Sequence, residues 1–282
     1  MKTLERREAK ALYFFGGPYS NLQATRELQK ILNERNISPK NIFCTGDTTA
    51  YCANPNETLS LLEEWGITSI QGNVEQQIIN DEDSCGCNFK EGSECDLLSN
   101  NWYNFIRENI SEKSLSYLKT FPEQLEIETK LGGIRIIHGG VENISKFFFE
   151  KTSIKSFQEE LSLVRSDASI IVAGHSGIPF AKNIGEKVWL NTGVIGMPAN
   201  DGTKRAWYLE LIIEEEMTAN LKSFTYDSQA ASESMLENRL PKEYANSLLS
   251  GLWPNQDMIP TEQRSSQGVP LLELSFSFNS NL

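Results

Sequence analysis

Apolar and polar positions follow two rhythms along the first part of the chain. Ala11–Phe15 is a short unbroken apolar run and predicts a buried strand, closed by the turn Gly16-Gly17-Pro18. Leu22, Leu28, Ile31 and Leu32 then fall on one stripe at helical spacing, predicting a helix over about residues 22–35. Ile42-Phe43-Cys44 reads as a second strand, ended by Gly46-Asp47. Pro55 precedes another helix, with Leu59, Leu62 and Trp65 inward and Gly66 as its stop. Ser69-Ile70 is a third strand, ended by Gly72-Asn73.

The rhythm changes after Ile79. Residues 80–100 are polar, contain glycine and carry three cysteines, so they read as an inserted loop. Helices are predicted at about 102–109 and 111–119. Strands dominate from Glu123, at about 125–129, 134–137, 169–173, 188–190, 207–213 and 220–224. Such βα runs joined to a strand-rich half predict an α/β protein with two sheets stacked face to face and helices outside. One domain is expected over residues 1–226, followed by a C-terminal helical extension and polar tail over 227–282.

Composition narrows the partners. The chain has 282 residues with 38 acidic and 26 basic side chains, a net charge of −12. Phosphate backbones demand a surplus of Lys and Arg, so nucleic acid is not an expected partner. The same balance disfavours an acidic membrane surface. No apolar run approaches the ~20 residues of a membrane-spanning helix. The charged start MKTLERREAK lacks the pattern of a secretory leader, so a cytoplasmic location is expected. Five cysteines without such a leader do not suggest a disulfide framework.

The chain has only two histidines, His138 and His175, and any imidazole chemistry must come from them. Four strand ends carry glycine beside a polar residue: Gly46-Asp47, Gly72-Asn73, His138-Gly139-Gly140 and Gly174-His175. Loops after the carboxyl ends of strands converge on one crevice in α/β sheets. One Asp, one Asn and two His make a donor set suited to a borderline divalent cation such as Mn, Fe, Ni or Zn. Taken singly, each piece is equally an ordinary turn or a satisfied core histidine.

In this order, with Asn191-Thr192-Gly193 following, the motifs resemble the calcineurin-like metallophosphoesterases, in their bacterial branch of small phosphodiesterase-type members. The match covers about residues 10–225, including the stretches GDTTAYCANPNETLSLL and LNTGVIGMP. The resemblance implies a four-layered αββα sandwich with two metal ions at the strand ends, activating a hydroxide for attack on a phosphoester. It also implies Asp47, Asn73, His138 and His175 as metal ligands and catalytic residues. The ligands that the family uses for its other ion are replaced here by Gly17, Tyr19 and Gly177. Val74 stands where many relatives place a catalytic histidine, Glu75 keeps the next acidic position, and Ala199 replaces a frequent arginine. The implied activity is therefore hydrolysis of a small phosphomonoester or phosphodiester with one divalent ion. The alternative is an inactive member of the fold that binds a phosphorylated ligand or regulates, and a homo-oligomer is compatible with either.

Other features are read more plainly. Cys85, Cys87 and Cys95 would bind a separate zinc if another residue completed a tetrahedral set; otherwise they are packed thiols. Tyr19 is a packed ring, a hydrogen-bond donor or a phenolate ligand. Trp253-Pro254 covers the sandwich edge or serves a dimer contact.

Overall fold

The computed structural model of the protein describes residues 2–87, 92 and 94–278. The chain begins with β1 (Lys2–Glu5), β2 (Ala11–Phe15), α1 (Leu22–Glu34) and β3 (Ile42–Cys44). Next come α2 (Pro55–Trp65), β4 (Thr68–Ser69), α3 (Asn73–Ile79), α4 (Glu94–Asn109) and α5 (Glu112–Leu118). The middle holds β5 (Leu125–Thr129), β6 (Gly132–Ile136), α6 (Ile154–Ser162) and β7 (Ala168–Ala173). It continues through β8 (Phe180–Ile184), β9 (Lys187–Asn191), β10 (Ala206–Ile213) and β11 (Met217–Phe224). The chain ends with α7 (Ser228–Glu237), α8 (Lys242–Ser250), α9 (Thr261–Arg264) and β12 (Leu274–Phe278).

Among the described residues the strands form two six-stranded sheets, ordered β1-β5-β6-β7-β9-β8 and β12-β11-β10-β2-β3-β4. Their inner faces share one core: Leu12, Phe14 and Leu209 meet Ile127, Ile136, Val172 and Leu190. Outside one sheet, α1 and α2 bury Leu28, Leu32, Leu62 and Trp65 against Tyr13, Phe15 and Cys44. Outside the other, α6 buries Phe157 and Leu161 against Trp189 and Phe148. Each such large side chain contributes roughly 1.5–3 kcal/mol by leaving water. This is the four-layered αββα sandwich, and among the described residues no helix is long and apolar enough to cross a membrane.

The strongly periodic elements lie where the apolar pattern puts them, with local signals setting their ends. The Asn21 side chain caps α1 by accepting from Ala24 N–H, and α2 runs from Pro55 to a stop at Gly66. The differences are physical. Helix α4 begins at Glu94, inside the stretch read as a loop, because buried Trp102, Tyr103 and Ile106 anchor it and Leu98 packs on the same cluster. Helix α3 follows from Glu75, whose carboxylate accepts from Gly72 N–H at 2.7 Å. Residues 274–278, expected in a polar tail, instead form β12, which pairs antiparallel with β11. As an edge strand with one covered face, β12 lacks the continuous apolar run of a central strand.

Candidate metal centre

The four residues picked out at strand ends come together. Asp47 follows β3, Asn73 opens α3, His138 follows β6 and His175 follows β7. His138 Nε2 lies 3.2 Å from Asp47 Oδ2, 3.1 Å from Asn73 Oδ1 and 3.0 Å from His175 Nδ1. Donor atoms of Asp47, His138 and His175 all lie within 4.8 Å of one another.

Which atoms face inward is decided from behind. His138 Nδ1 donates to the Thr45 carbonyl at 2.7 Å, and His175 Nε2 donates to the Ser145 carbonyl at 3.1 Å. The Asn73 amide nitrogen donates to the Cys85 carbonyl at 2.8 Å and to Cys87 Sγ at 3.3 Å, so its oxygen turns to the centre. With both ring N–H groups spent outward, four lone-pair atoms converge: Asp47 Oδ2, Asn73 Oδ1, His138 Nε2 and His175 Nδ1. Such a knot needs a cation at its middle, either a proton on His138 or a metal ion. An oxygen, amide and imidazole set with outward rings held by carbonyls fits a divalent metal.

The electrostatics agree. Burial opposes the Asp47 charge, but the adjacent His138 outweighs it and holds the carboxyl below its ordinary range. Burial works against a charged His138, yet Asp47 lifts it above its ordinary value. His175 is pushed down to about 3 by burial and by the like charge of His138. Phe147 stacks on the His175 ring at 4.1 Å and shields it.

The loops carrying these side chains are tightly built. Asp47 and His175 both have left-handed backbones, at φ 54° and φ 62°, an uncommon state for residues with a side chain. Gly72 permits the Asp47 approach, since a Cβ there would sit 2.1 Å from Asp47 Oδ1. Glu75, which is fully buried, turns away from the cluster. It accepts from Asp47 N–H and Thr48 N–H at 2.8 Å each and from the Thr48 hydroxyl at 2.9 Å, splinting the Asp47 loop. Burial and Asp47 push its carboxyl up.

The positions of Gly17, Tyr19 and Gly177 lie beside this cluster and are filled. Tyr19 packs edge-on against Tyr51 at 4.8 Å, so its packed reading holds; burial and the Asp47 charge push its phenol well above the ordinary range. A Cβ at Gly17 would meet Val194 Cγ1 at 2.7 Å, and one at Gly177 would meet the Trp253 ring at 3.0 Å. Trp253 is tied down by its indole N–H, which donates to the Pro198 carbonyl at 2.7 Å. It therefore lies over Gly177 on the wall of the site. Val74 is buried, and Ala199 belongs to the core between the sheets.

An open cleft adjoins the cluster, with Asp47, His175 and Cys87 on its wall. Tyr19, Tyr51, Phe147, Tyr244 and Trp253 surround it, and no Lys or Arg lines it among the described residues. Cys85 and Cys87 are buried beside it, whereas the side chain of Cys95 lies outside the described residues. Sequence reasoning missed Ser145, Phe147 and the role of the Thr45 carbonyl, none of which carries a periodic or motif signal. It singled out Cys87 as a zinc ligand or packed thiol rather than as a partner of Asn73.

Residues 20–212 match the calcineurin-like phosphoesterase superfamily domain. A protein of Methanocaldococcus jannaschii described as uncharacterised is 27% identical over 249 residues, covering 83% of this chain and 95% of that one. A solved hypothetical protein from Pyrococcus horikoshii has a TM-score of 0.72 at 16% identity, covering 86% of this chain and 99% of its own. A metallophosphoesterase from Sphaerobacter thermophilus has a TM-score of 0.67 at 18% identity, covering 86% and 100%. These two likenesses show the fold, and the sequence match shows more: the chain belongs to the calcineurin-like phosphoesterase superfamily.

Proposed function

We propose that this chain is a metal-dependent phosphoester hydrolase that works with one divalent ion, held by Asp47, Asn73, His138 and His175. The observation that carries this is the convergence of four lone-pair atoms with both imidazole N–H groups turned outward. When bound, a divalent ion supplies Lewis acidity to a phosphoryl oxygen and to an attacking water. Asp47 contributes the only formal charge among the ligands. Thr45 and Ser145 hold the two rings in the tautomers that ligation requires. Tyr19, Val194 and Trp253 fill the neighbouring space, which supports a single ion rather than a pair.

The cleft also speaks to the substrate. Val74 cannot protonate a departing oxygen, so a leaving group that needs no acid is favoured. Among the described residues the wall carries no Lys or Arg, so a dianionic monoester or a polyphosphate would meet Asp47 with little compensation from them. A singly charged phosphodiester of an aromatic alcohol fits both the charge and the ring-lined wall.

The test uses protein stripped by chelator and reloaded with Mn, Fe, Ni, Zn or Mg, assayed on bis(para-nitrophenyl) phosphate and para-nitrophenyl phosphate. The expected result is metal-dependent turnover that His175→Ala abolishes. Stoichiometric metal binding with no turnover of either ester would instead leave a ligand-binding protein and overturn the hydrolase reading.

A further inference from the structure

We propose that Cys85 and Cys87 are a reversible redox pair, closed to a disulfide by hydrogen peroxide entering the cleft, and that its state controls how Asn73 and His175 are held. The two sulfurs lie 2.7 Å apart across Gly86, already inside non-bonded contact distance. Cys87 lines the cleft, so a small oxidant can reach it, and Cys85 stands directly behind. The buried Cys44 and Cys52 differ, because neither borders the cleft.

The chemistry balances. Cys87 gives its proton to solvent and its sulfur attacks one peroxide oxygen. The O–O bond breaks, hydroxide leaves and is protonated to water, and Cys87 becomes a sulfenic acid. Cys85 sulfur then attacks Cys87 sulfur; the S–S bond forms, the S–O bond breaks, and the departing hydroxide takes the Cys85 proton as water. Two thiols and one peroxide give one disulfide and two waters. The sulfurs lose the two electrons that the peroxide oxygens gain, and thiol–disulfide exchange with a reductant reverses it.

The coupling to the cluster runs through three contacts of the same short loop. Asn73 Nδ2 donates to the Cys85 carbonyl at 2.8 Å and to Cys87 Sγ at 3.3 Å. The Ser145 hydroxyl donates to the Gly86 carbonyl at 2.5 Å, and the Ser145 carbonyl accepts from His175. Closing the disulfide draws the sulfurs together and removes the thiol partner of Asn73, while shifting the carbonyls that hold Asn73 and Ser145. Partners of this kind behind a ligand typically alter metal affinity about 10–100-fold. This coupling rests on the metal reading above; the redox pair does not.

The experiment treats the full chain with hydrogen peroxide, removes the excess with catalase and reads intact mass, mapped peptides and manganese affinity by calorimetry. The expected outcome is a loss of about 2 Da, a Cys85–Cys87 link and manganese binding weaker by about tenfold, all restored by a phosphine reductant. Cys85→Ser should stop at a sulfenic acid on Cys87, trapped by dimedone. No mass loss, or a link through Cys95, would overturn the pair. So would thiols that react only after a chelator removes zinc, which would make them a metal site. A disulfide that leaves manganese affinity unchanged would remove the coupling. No readout uses turnover, so this pair and the hydrolase reading fail separately.

Discussion

His138 and His175 face one another with 3.0 Å between Nε2 and Nδ1, and each spends its other ring N–H on a backbone carbonyl. Two imidazoles so placed cannot both be charged, and neither can donate to the other while both inner nitrogens are bare. The pair therefore has room for one cation between them, beside Asp47 and Asn73, and a proton and a metal ion would compete for that place.

The competition has a sign. Asp47 overcomes burial and lifts His138 above its ordinary 6.5, while His175 is pushed down to about 3 and stays neutral. Below the raised His138 value the proton holds the centre; above it the lone pair is free. Metal affinity should therefore rise with pH through that value and level off beyond it. Calorimetry near neutral pH in buffers of different ionisation heat should show up to about one proton released per ion. Affinity that is flat from about pH 6 to pH 8 would contradict it.

Glu75 should matter for stability rather than for ligation. Both its oxygens accept from the Asp47 loop and from Gly72, and it is fully buried. Glu75→Gln places amide hydrogens against at least one of those donors. A loss of about 3 kcal/mol in urea unfolding is expected, with weaker metal binding as the loop loosens. A change below about 0.5 kcal/mol would show that the loop holds itself.

Placing the family's second ligand set here should not by itself create a second site. In Gly17→Asp, Tyr19→His, Gly177→His the new Asp side chain still meets Val194 from a backbone at φ 42°, and the new histidine meets Trp253. The triple variant should hold about one ion per chain by elemental analysis, the count expected of the parent. Adding Val194→Ala and Trp253→Ala removes both obstructions and should raise the count toward two. Two ions in the triple variant alone would show that Val194 and Trp253 yield readily.

Charge in the cleft should set the ester preference. Met258 lines the cleft and is partly exposed, so a lysine there can reach the substrate without burying its charge. Met258→Lys should raise kcat/KM for para-nitrophenyl phosphate relative to the diester by about tenfold, some 1.4 kcal/mol of differential transition-state binding. An unchanged ratio would remove charge as the cause of selectivity.

Local pattern carried far along this chain. Strands β2, β3 and β5 and helices α1 and α2 were legible because each repeats its own apolar period and ends at its own Pro, Gly or cap. Edge strands β1 and β12, with weak periods, were not. Asp47, Asn73, His138 and His175 stood out as polar residues beside glycine at strand ends, where sheets gather their loops.

The sequence by itself thus determined the αββα layering and which four side chains sit at the strand ends. Tertiary structure decided what those side chains can do. The tautomer of His138 depends on Thr45, 93 residues away, and that of His175 on Ser145, 30 residues away. Trp253, from the C-terminal segment, closes the space over Gly177, and the Cys85–Cys87 loop sets the Asn73 amide. A backbone carbonyl accepts a hydrogen bond whatever side chain it carries, and a ring fills space from any point in the chain. Neither leaves a period or spacing in the sequence, so only the folded chain reveals them.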